Sequence, residues 1–291
     1  GSGFQYSHKV AATTADTSIG SADLICPLWY IVEKRDVDAR LAYGTSSAKP
    51  ITMSFWIKSN VTGTYTISAY RSDTPARVQA QTYTISSANT WEFKTLTFLG
   101  DTAEAIDVDL HFYFNGLVGG SYDNTGTTSG WATYDTGNWA GGHTATCFDT
   151  ANDTWQMTGL QLEVGDEASD FEHRSFGEEL QLCRRYFENS NQAGTPRIAY
   201  LNHVVYTTSA SYCTYFYDVE KRVAPSISHG SAVWRIYQNG VLIANANGQG
   251  GSDGIGTRNF ALTLSGPTFS NNSGGMADYR ADNGILIDAE L

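Results

Sequence analysis

Apolar and polar side chains alternate with a period of two along much of the chain. In residues 106–114 one face of the pattern is apolar throughout, comprising Ile106, Val108, Leu110, Phe112 and Phe114. Similar alternation occurs in residues 51–58, 64–70, 82–86, 91–98 and 155–164. Successive side chains of a strand point to opposite faces, so each stretch predicts a strand with one buried face. The alternation shifts register at Gly159, which predicts a β-bulge.

One segment instead has a helical period. Phe176, Leu180, Cys183 and Phe187 recur at helical spacing within residues 173–188. Ser175 and Glu178 have the spacing of a capping box, in which each satisfies the other's backbone N–H. We therefore expect a helix over 173–188 whose apolar stripe, including the Cys183 thiol, is buried.

Beyond residue 198 the strand pattern returns. Residues 232–237 and 241–245 flank Asn239-Gly240, the strongest signal for a two-residue hairpin. Further strands are expected at 212–219, 259–264 and 285–291. Short strands at fairly regular intervals predict an all-β fold. We expect an N-terminal jelly-roll sandwich over 1–165, a connector with a short α-helix over 166–188, and a C-terminal β-sandwich tip over 189–291.

Composition agrees with this fold class and excludes several functions. Aromatic residues make up 13% of the chain and charged residues only 16%, a balance that suits pleated surfaces. The formal net charge of −12 repels phosphate backbones, so no nucleic-acid partner is expected. No run approaches the about 18 apolar residues of a membrane helix, and no membrane insertion is expected.

Metal and catalytic motifs are sparse in the sequence. The four cysteines are far apart and form no CxxC, which excludes a paired-cysteine zinc site. No HExxH motif occurs, and no Ser/His/Asp set can be assembled from the sequence. The carboxylate pairs Asp107/Asp109 and Asp135/Asp149 are the only hint of glycosidase chemistry. We therefore expect no enzyme and no cofactor, although a structural Ca²⁺ ion is weakly suggested by loop carboxylates at Asp101, Asp123 and Asp149.

Residues 116–150 interrupt the strand pattern with a long aromatic loop. Its candidate glycan contacts are Tyr122, Trp131, Tyr134, Trp139 and His143. Aromatic rings can contact the apolar C–H face of a sugar while amide, carboxylate and imidazole groups bind its hydroxyls. The alternative interpretation is that these rings pin the loop onto the sandwich or pack at a subunit interface.

Residues 155–186 carry three consecutive motifs of unusual specificity. They are WQMTGLQLEVG at 155–165, ASDFEHR at 168–174 and EELQLCRRY at 178–186. Together they resemble a recurring segment of bacteriophage tail-fibre and related virion proteins, with mild departures such as Leu160, Ser169 and Arg184. Residues 54–59 and 89–101 are similar, more weakly, to the carbohydrate-binding-module-like jelly roll that precedes this segment. Residues 219–226 and 288–291 are similar to parts of fibre tips.

The resemblance implies a virion protein, made in the host cytoplasm, that binds host cell-surface polysaccharide or lipopolysaccharide. It also implies a homotrimer in contact with other virion proteins. We expect the motif to be architectural, with Glu163, Glu172, Arg174, Glu179 and Arg185 forming ion pairs that join strand, helix and second domain. The matching residues of this structural motif are Gln161, Glu163, Glu172, Arg174, Glu179, Arg185 and Tyr186.

Two other functions remain open at this stage. A structural capsid or head-fibre decoration or assembly module would need no ligand. A glycan depolymerase or deacetylase would need a carboxylate pair at catalytic separation beneath the aromatic loop. The motifs indicate architecture and not ligand specificity, because binding loops diversify.

Overall fold

The chain is all-β, as its alternating pattern predicts. A computed structural model describes residues 3–16, 18–123, 130–189, 198–207, 210–229, 233–238, 241–247, 251–265, 274–280 and 285–289. The chain divides into two compact units, Gly1–Glu172 and His173–Leu291. The strand ending at Val164 and the segment that follows it belong to the first unit, and the predicted connector helix belongs to the second.

The first unit is built mainly from two antiparallel sheets. Its strands are β1 (His8–Ala11), β2 (Leu24–Ile25), β3 (Leu28–Val32), β4 (Ile51–Ser59), β5 (Gly63–Arg71), β6 (Arg77–Ile85), β7 (Glu92–Phe98), β8 (Leu110–Asn115), β9 (Leu117–Val118), β10 (Ala132–Thr133) and β11 (Thr154–Val164). One sheet has the order β1-β11-β4-β7 and the other β10-β6-β5-β8-β3, while β2 pairs with β9. Helix α1 (Lys34–Leu41) follows β3.

A single core is shared by the two large sheets. The alternating apolar residues of β4 and β8, such as Phe55 and Phe114, are buried together with Trp155 of β11. The Trp155 indole donates a hydrogen bond to the Tyr83 hydroxyl at 3.3 Å. The two sheets therefore pack face to face, and the opposite face of each is left for other contacts.

The bulge predicted in the last strand of this unit is confirmed. Strand β11 pairs with β4 in a register that shifts between Thr158 and Gln161. Gly159 adopts a φ of +60° at that point, a conformation that side chains with a Cβ rarely take.

The second unit contains helix α2 (Phe176–Arg184) and two sheets. Its strands are β12 (Phe187–Asn189), β13 (Ile198–Thr207), β14 (Ala210–Phe216), β15 (Ser226–His229), β16 (Val233–Gln238), β17 (Val241–Asn247), β18 (Gly251–Asp253), β19 (Asn259–Ser265), β20 (Gly274–Arg280) and β21 (Ile285–Asp288). One sheet has the order β17-β16-β20-β13-β14-β19-β18 and the other β12-β21-β15. Strands β16 and β17 pair as the predicted hairpin, although Asn239 and Gly240 lie outside the described residues.

Helix α2 is shorter than predicted and its stripe is not buried. The capping box between Ser175 and Glu178 is present. Phe176 is 82% exposed, and Cys183 is also exposed, which corrects the expectation that this face lies in a core. A helical period shows that one face is apolar, but it does not supply the element that would cover it.

Candidate functional site

Trp139 is a core residue, which corrects its assignment as a glycan contact. Its side chain is only 7% exposed and packs with Val78 and Ala140. The indole N–H donates to Asn115 Oδ1 at 3.2 Å, and the Trp139 carbonyl accepts from the Ser68 hydroxyl at 2.6 Å. The loop is thereby fastened onto β5 and β8.

His143 is buried as well, so it is also corrected as a sugar-binding group. Its Nε2 lies 2.8 Å from the Ala145 carbonyl, and its ring meets Tyr65 edge to face. Burial lowers the pKa of His143 below the ordinary histidine value, outweighing the opposing effect of the hydrogen bond that its ring donates to the Ala145 carbonyl. The imidazole is therefore neutral at physiological pH and part of the packed loop.

The other three predicted aromatics are half-buried. Trp131 donates through its indole to the Leu99 carbonyl at 2.6 Å and lies beside Tyr43 and the Arg71 guanidinium. Tyr122 and Tyr134 pack against the small cluster that contains Trp139. The structure thus does not bring the five predicted residues into one exposed surface, and residues 124–129 of the loop lie outside the described residues.

A different aromatic surface lies on the outer face of the five-stranded sheet. In β8, Leu110, Phe112 and Phe114 face the core, so His111 and Tyr113 project from the opposite face. Trp29 of the edge strand β3 pairs in register with Tyr113 and is 45% exposed. The alternation of apolar and polar residues did not indicate this strand, and Trp29 was not among the predicted contacts.

The rings of Trp29, His111 and Tyr113 are nearly parallel. The ring centroids of Trp29 and His111 are 5.4 Å apart, and the angle between the ring planes is 22°. The centroids of Trp29 and Tyr113 are 5.3 Å apart, with an angle of 13° between the planes. Its indole N–H donates to His111 Nδ1 at 3.0 Å. Because Nδ1 accepts this bond, it carries no proton in this arrangement.

The aromatic surface continues across the sheet. The ring centroid of Tyr113 lies 6.5 Å from that of Tyr70 of β5. The Tyr70 centroid lies 5.3 Å from that of Tyr134, which follows β10. We call these residues the aromatic row, and its members are Trp29, His111, Tyr113, Tyr70 and Tyr134. Adjacent strands are about 4.8 Å apart, so the row runs across the strands and not along one of them.

Buried Trp139 supports the row. Its ring packs against three tyrosine rings, with centroid distances of 4.9 Å to Tyr113, 5.5 Å to Tyr70 and 6.0 Å to Tyr134. The Asn115 amide that holds the Trp139 indole also donates to the Ser68 hydroxyl at 2.8 Å. The rings therefore have defined positions, which lowers the entropy cost of binding a ligand on them.

The predicted calcium ligands have other partners. Asp101 is buried and accepts hydrogen bonds from Arg71 and Arg77, which corrects its place among the metal candidates because the cations already neutralise it. Asp123 accepts from the Gly142 N–H at 2.8 Å, and Asp149 accepts from the Thr150 hydroxyl. Among the described residues there is no group of three or more histidine, cysteine or acidic side chains arranged to hold a metal ion.

The structural motif forms local hydrogen bonds more than ion pairs. Glu163 accepts from the N–H and the hydroxyl of Ser169, and the side-chain Oε1 of Gln161 accepts from the Glu172 N–H at 2.7 Å. This corrects the expectation that Glu163 pairs with an arginine, since a nearby backbone and hydroxyl satisfy its carboxylate. Both contacts fasten residues 169–172 to strand β11.

The remaining motif residues lie in the second unit. Arg174 and Glu179 form an exposed ion pair at 3.5 Å, of the kind that contributes little to stability. The Arg185 carbonyl accepts from the Arg222 N–H, and the Tyr186 carbonyl accepts from the Ala289 N–H at 2.7 Å. These backbone bonds join the end of helix α2 to distant parts of the same unit.

Comparison with protein families and with curated proteins does not assign this chain to a family. No protein-family model matches the chain, and no curated protein matches it significantly. Within the part of the chain that the structure describes, no helix has the length and apolar character needed to cross a bilayer.

Proposed function

We propose that the protein is a bacteriophage virion component, a tail-fibre receptor-binding module that attaches to glycan on the host cell surface without catalysing a reaction. In this proposal the first unit is a carbohydrate-binding-module-like jelly roll and the second a fibre tip. The chain assembles as a homotrimer with other virion proteins, and its ligand is a host polysaccharide or lipopolysaccharide.

The aromatic row carries this proposal. Exposed aromatic surface on a folded domain marks a site of interaction, and Trp29 and Tyr113 present parallel rings at the edge of a sheet. Parallel rings suit the flat C–H faces of sugars, while ring N–H and O–H groups can bind hydroxyls. The resemblance of residues 155–186 to tail-fibre proteins supports the virion assignment.

Replacement of Trp29 tests the site. In Trp29→Ala we expect binding to host cells and extracted host polysaccharide to weaken about tenfold, equivalent to about 1.4 kcal/mol, because the largest ring of the row is removed. Trp29 is preferable to Trp139 as the test position, since truncating a buried tryptophan costs about 3–5 kcal/mol of stability. Binding is measured by titration, with sugar release followed in the same samples.

The matched control is Phe93→Ala. Phe93 is also an exposed aromatic residue, but it lies on β7 of the other sheet. Binding should be unchanged in this variant. Equal affinity of Trp29→Ala and the parent would contradict the assignment of the site to the row, and release of oligosaccharide would favour the depolymerase or deacetylase alternative.

A structural capsid or head-fibre module is the second candidate. It is favoured by apolar side chains on the outer face of the sheet in the second unit, where Val204 and Phe216 are exposed. Such a face suits packing against another protein surface. Absence of binding to every host fraction would support this alternative.

A further inference from the structure

The chain around the aromatic row has a strongly one-sided charge distribution. Between Lys94 and Arg174 the sequence contains no lysine or arginine, whereas aspartate and glutamate occur throughout. This stretch includes β8 and the loop that Trp139 fastens over the sheet. Three members of the row, His111, Tyr113 and Tyr134, therefore lie on segments without a lysine or arginine.

The arginines of the neighbouring strands are already neutralised. Arg71 at the end of β5 is buried and bonds to Asp101 at 2.7 Å and to Asp73 at 2.5 Å. Arg77 at the start of β6 bonds to the same Asp101 carboxylate at 2.9 Å. Because these guanidinium groups are committed to carboxylates, they do not offer a positive site to a ligand on the outer face.

Tyr70 of the row lies near the Asp73 carboxylate. The pKa of Tyr70 is raised above the ordinary tyrosine value, first by burial and then by the neighbouring Tyr134 and the Asp73 carboxylate. Burial is the largest of these causes, and the smaller contribution of the Asp73 carboxylate would also oppose an anionic ligand near Tyr70.

We propose that the aromatic row binds an uncharged glycan chain laid across the strands of the sheet, and that it rejects polysaccharides carrying carboxylate, phosphate or sulfate groups. This inference rests on the proposed function and names its ligand class. The row takes its rings from β3, β8, β5 and the residue after β10, so it contacts several successive sugars and not a single terminal one. Anionic chains would bring negative charge to a face on which β8 and the loop over it contain no lysine or arginine, so they would bind more weakly.

Two forms of one polysaccharide test the inference. The intact protein is titrated with a neutral host-surface polysaccharide and with the same preparation oxidised at its primary alcohols to carboxylates. We expect the oxidised form to bind at least about tenfold more weakly, a loss of about 1.4 kcal/mol. Binding of the neutral form should be insensitive to salt, since no charge pair is formed.

A lysine placed beside the row gives a sharper test. Ile31 pairs in register with His111, so Ile31→Lys adds a cation on the outer face of β3. It should restore binding of the oxidised chain, whereas Phe93→Lys on the other sheet should not. If Ile31→Lys left the preference for the neutral chain unchanged, the electrostatic explanation would be overturned.

The outcomes separate this inference from the proposed function. Tight binding of an anionic polysaccharide that is lost in Trp29→Ala would refute the ligand class while supporting a glycan-binding row. Binding of a neutral chain that is unaffected by Trp29→Ala would refute the row as its site. Failure to bind either form, or any host fraction, would overturn both proposals.

Discussion

Asp101 is a buried carboxylate shared by two arginines of the first unit. Its side chain is almost fully buried and accepts hydrogen bonds from Arg71 and Arg77. Burial by itself raises the pKa of Asp101, but the hydrogen bonds from Arg77 and Arg71 outweigh it, and the pKa lies below the ordinary aspartate value. The carboxylate is therefore retained in its charged form because two cations compensate its desolvation.

Asp101→Asn should destabilise the first unit by about 3–5 kcal/mol, because it removes the carboxylate shared by Arg71 and Arg77 and leaves only Asp73 to compensate the buried Arg71. The difference in free energy of unfolding between the parent and Asp101→Asn should become smaller in acid. A lowered pKa means that the parent's stabilisation is present at neutral pH and disappears as pH falls below about 4. Urea denaturation of parent and variant at neutral and acidic pH measures both effects.

Asp107→Asn is the matched control for this experiment. Asp107 pairs with Lys34 at 3.1 Å, but its side chain is 87% exposed. Exposed pairs contribute less than about 1 kcal/mol. A loss in Asp107→Asn equal to that in Asp101→Asn would show that burial of the pair is not what matters.

Trp29 and Trp139 show why residue type alone does not reveal a binding site. Both indoles donate a hydrogen bond to a side chain, one to His111 and one to Asn115. Trp139 lies under a loop and is buried, whereas Trp29 lies on an edge strand and is exposed. Trp29 and His111 are 82 positions apart, so no local pattern predicts their contact.

Strand β11 is the element whose sequence pattern and structure agree most closely. The predicted register shift occurs where Gly159 has positive φ. A Cβ at that position would lie 2.6 Å from the ring of Phe4. Conformation and space therefore both require glycine.

Gly159→Ala should lower the free energy of unfolding by more than about 1 kcal/mol, because the residue would be strained and Phe4 displaced. The control is Gly177→Ala in helix α2, where a Cβ would meet nothing within 4 Å. That change should be neutral or stabilising by up to about 1 kcal/mol. Thermal unfolding measures both, and equal effects would contradict the role assigned to the bulge.

The helices were less well predicted than the strands. Helix α1 was missed because charged residues dominate its short sequence, in which Val37 and Leu41 are buried. Residues 106–109 alternate as a strand would, yet β8 begins only at Leu110. The Asp109 carboxylate there accepts from the Lys34 N–H at 2.8 Å, a tertiary bond that sequence periodicity cannot reveal.

At the scale of the molecule, each unit has its own core. In the second unit the buried Lys221 ammonium bonds to the Glu188 carboxylate at 2.8 Å and to the Arg184 carbonyl. The Tyr215 hydroxyl donates to the same carboxylate at 3.1 Å. This cluster joins the end of helix α2 and strand β12 to the segment after β14.

Lys221→Met should destabilise the second unit by about 3–5 kcal/mol, since it leaves the Glu188 charge buried without a cation. Amide hydrogen exchange of the whole chain should show faster exchange in the second unit and unchanged protection in the core of the first. Arg258→Met, which removes an exposed partner of Glu220, serves as the control. Equal loss of protection in both units after Lys221→Met would contradict independent cores.

The sequence by itself determined the all-β class, most strands, the β11 bulge and the capping box of α2, because these depend on neighbours along the chain. Only the tertiary structure decided which aromatic rings are exposed. That depends on strand order, on which strand lies at an edge, and on where the loop held by Trp139 covers the sheet. The same alternation is compatible with many strand orders, so the aromatic row exists only once β3, β8 and β5 are paired.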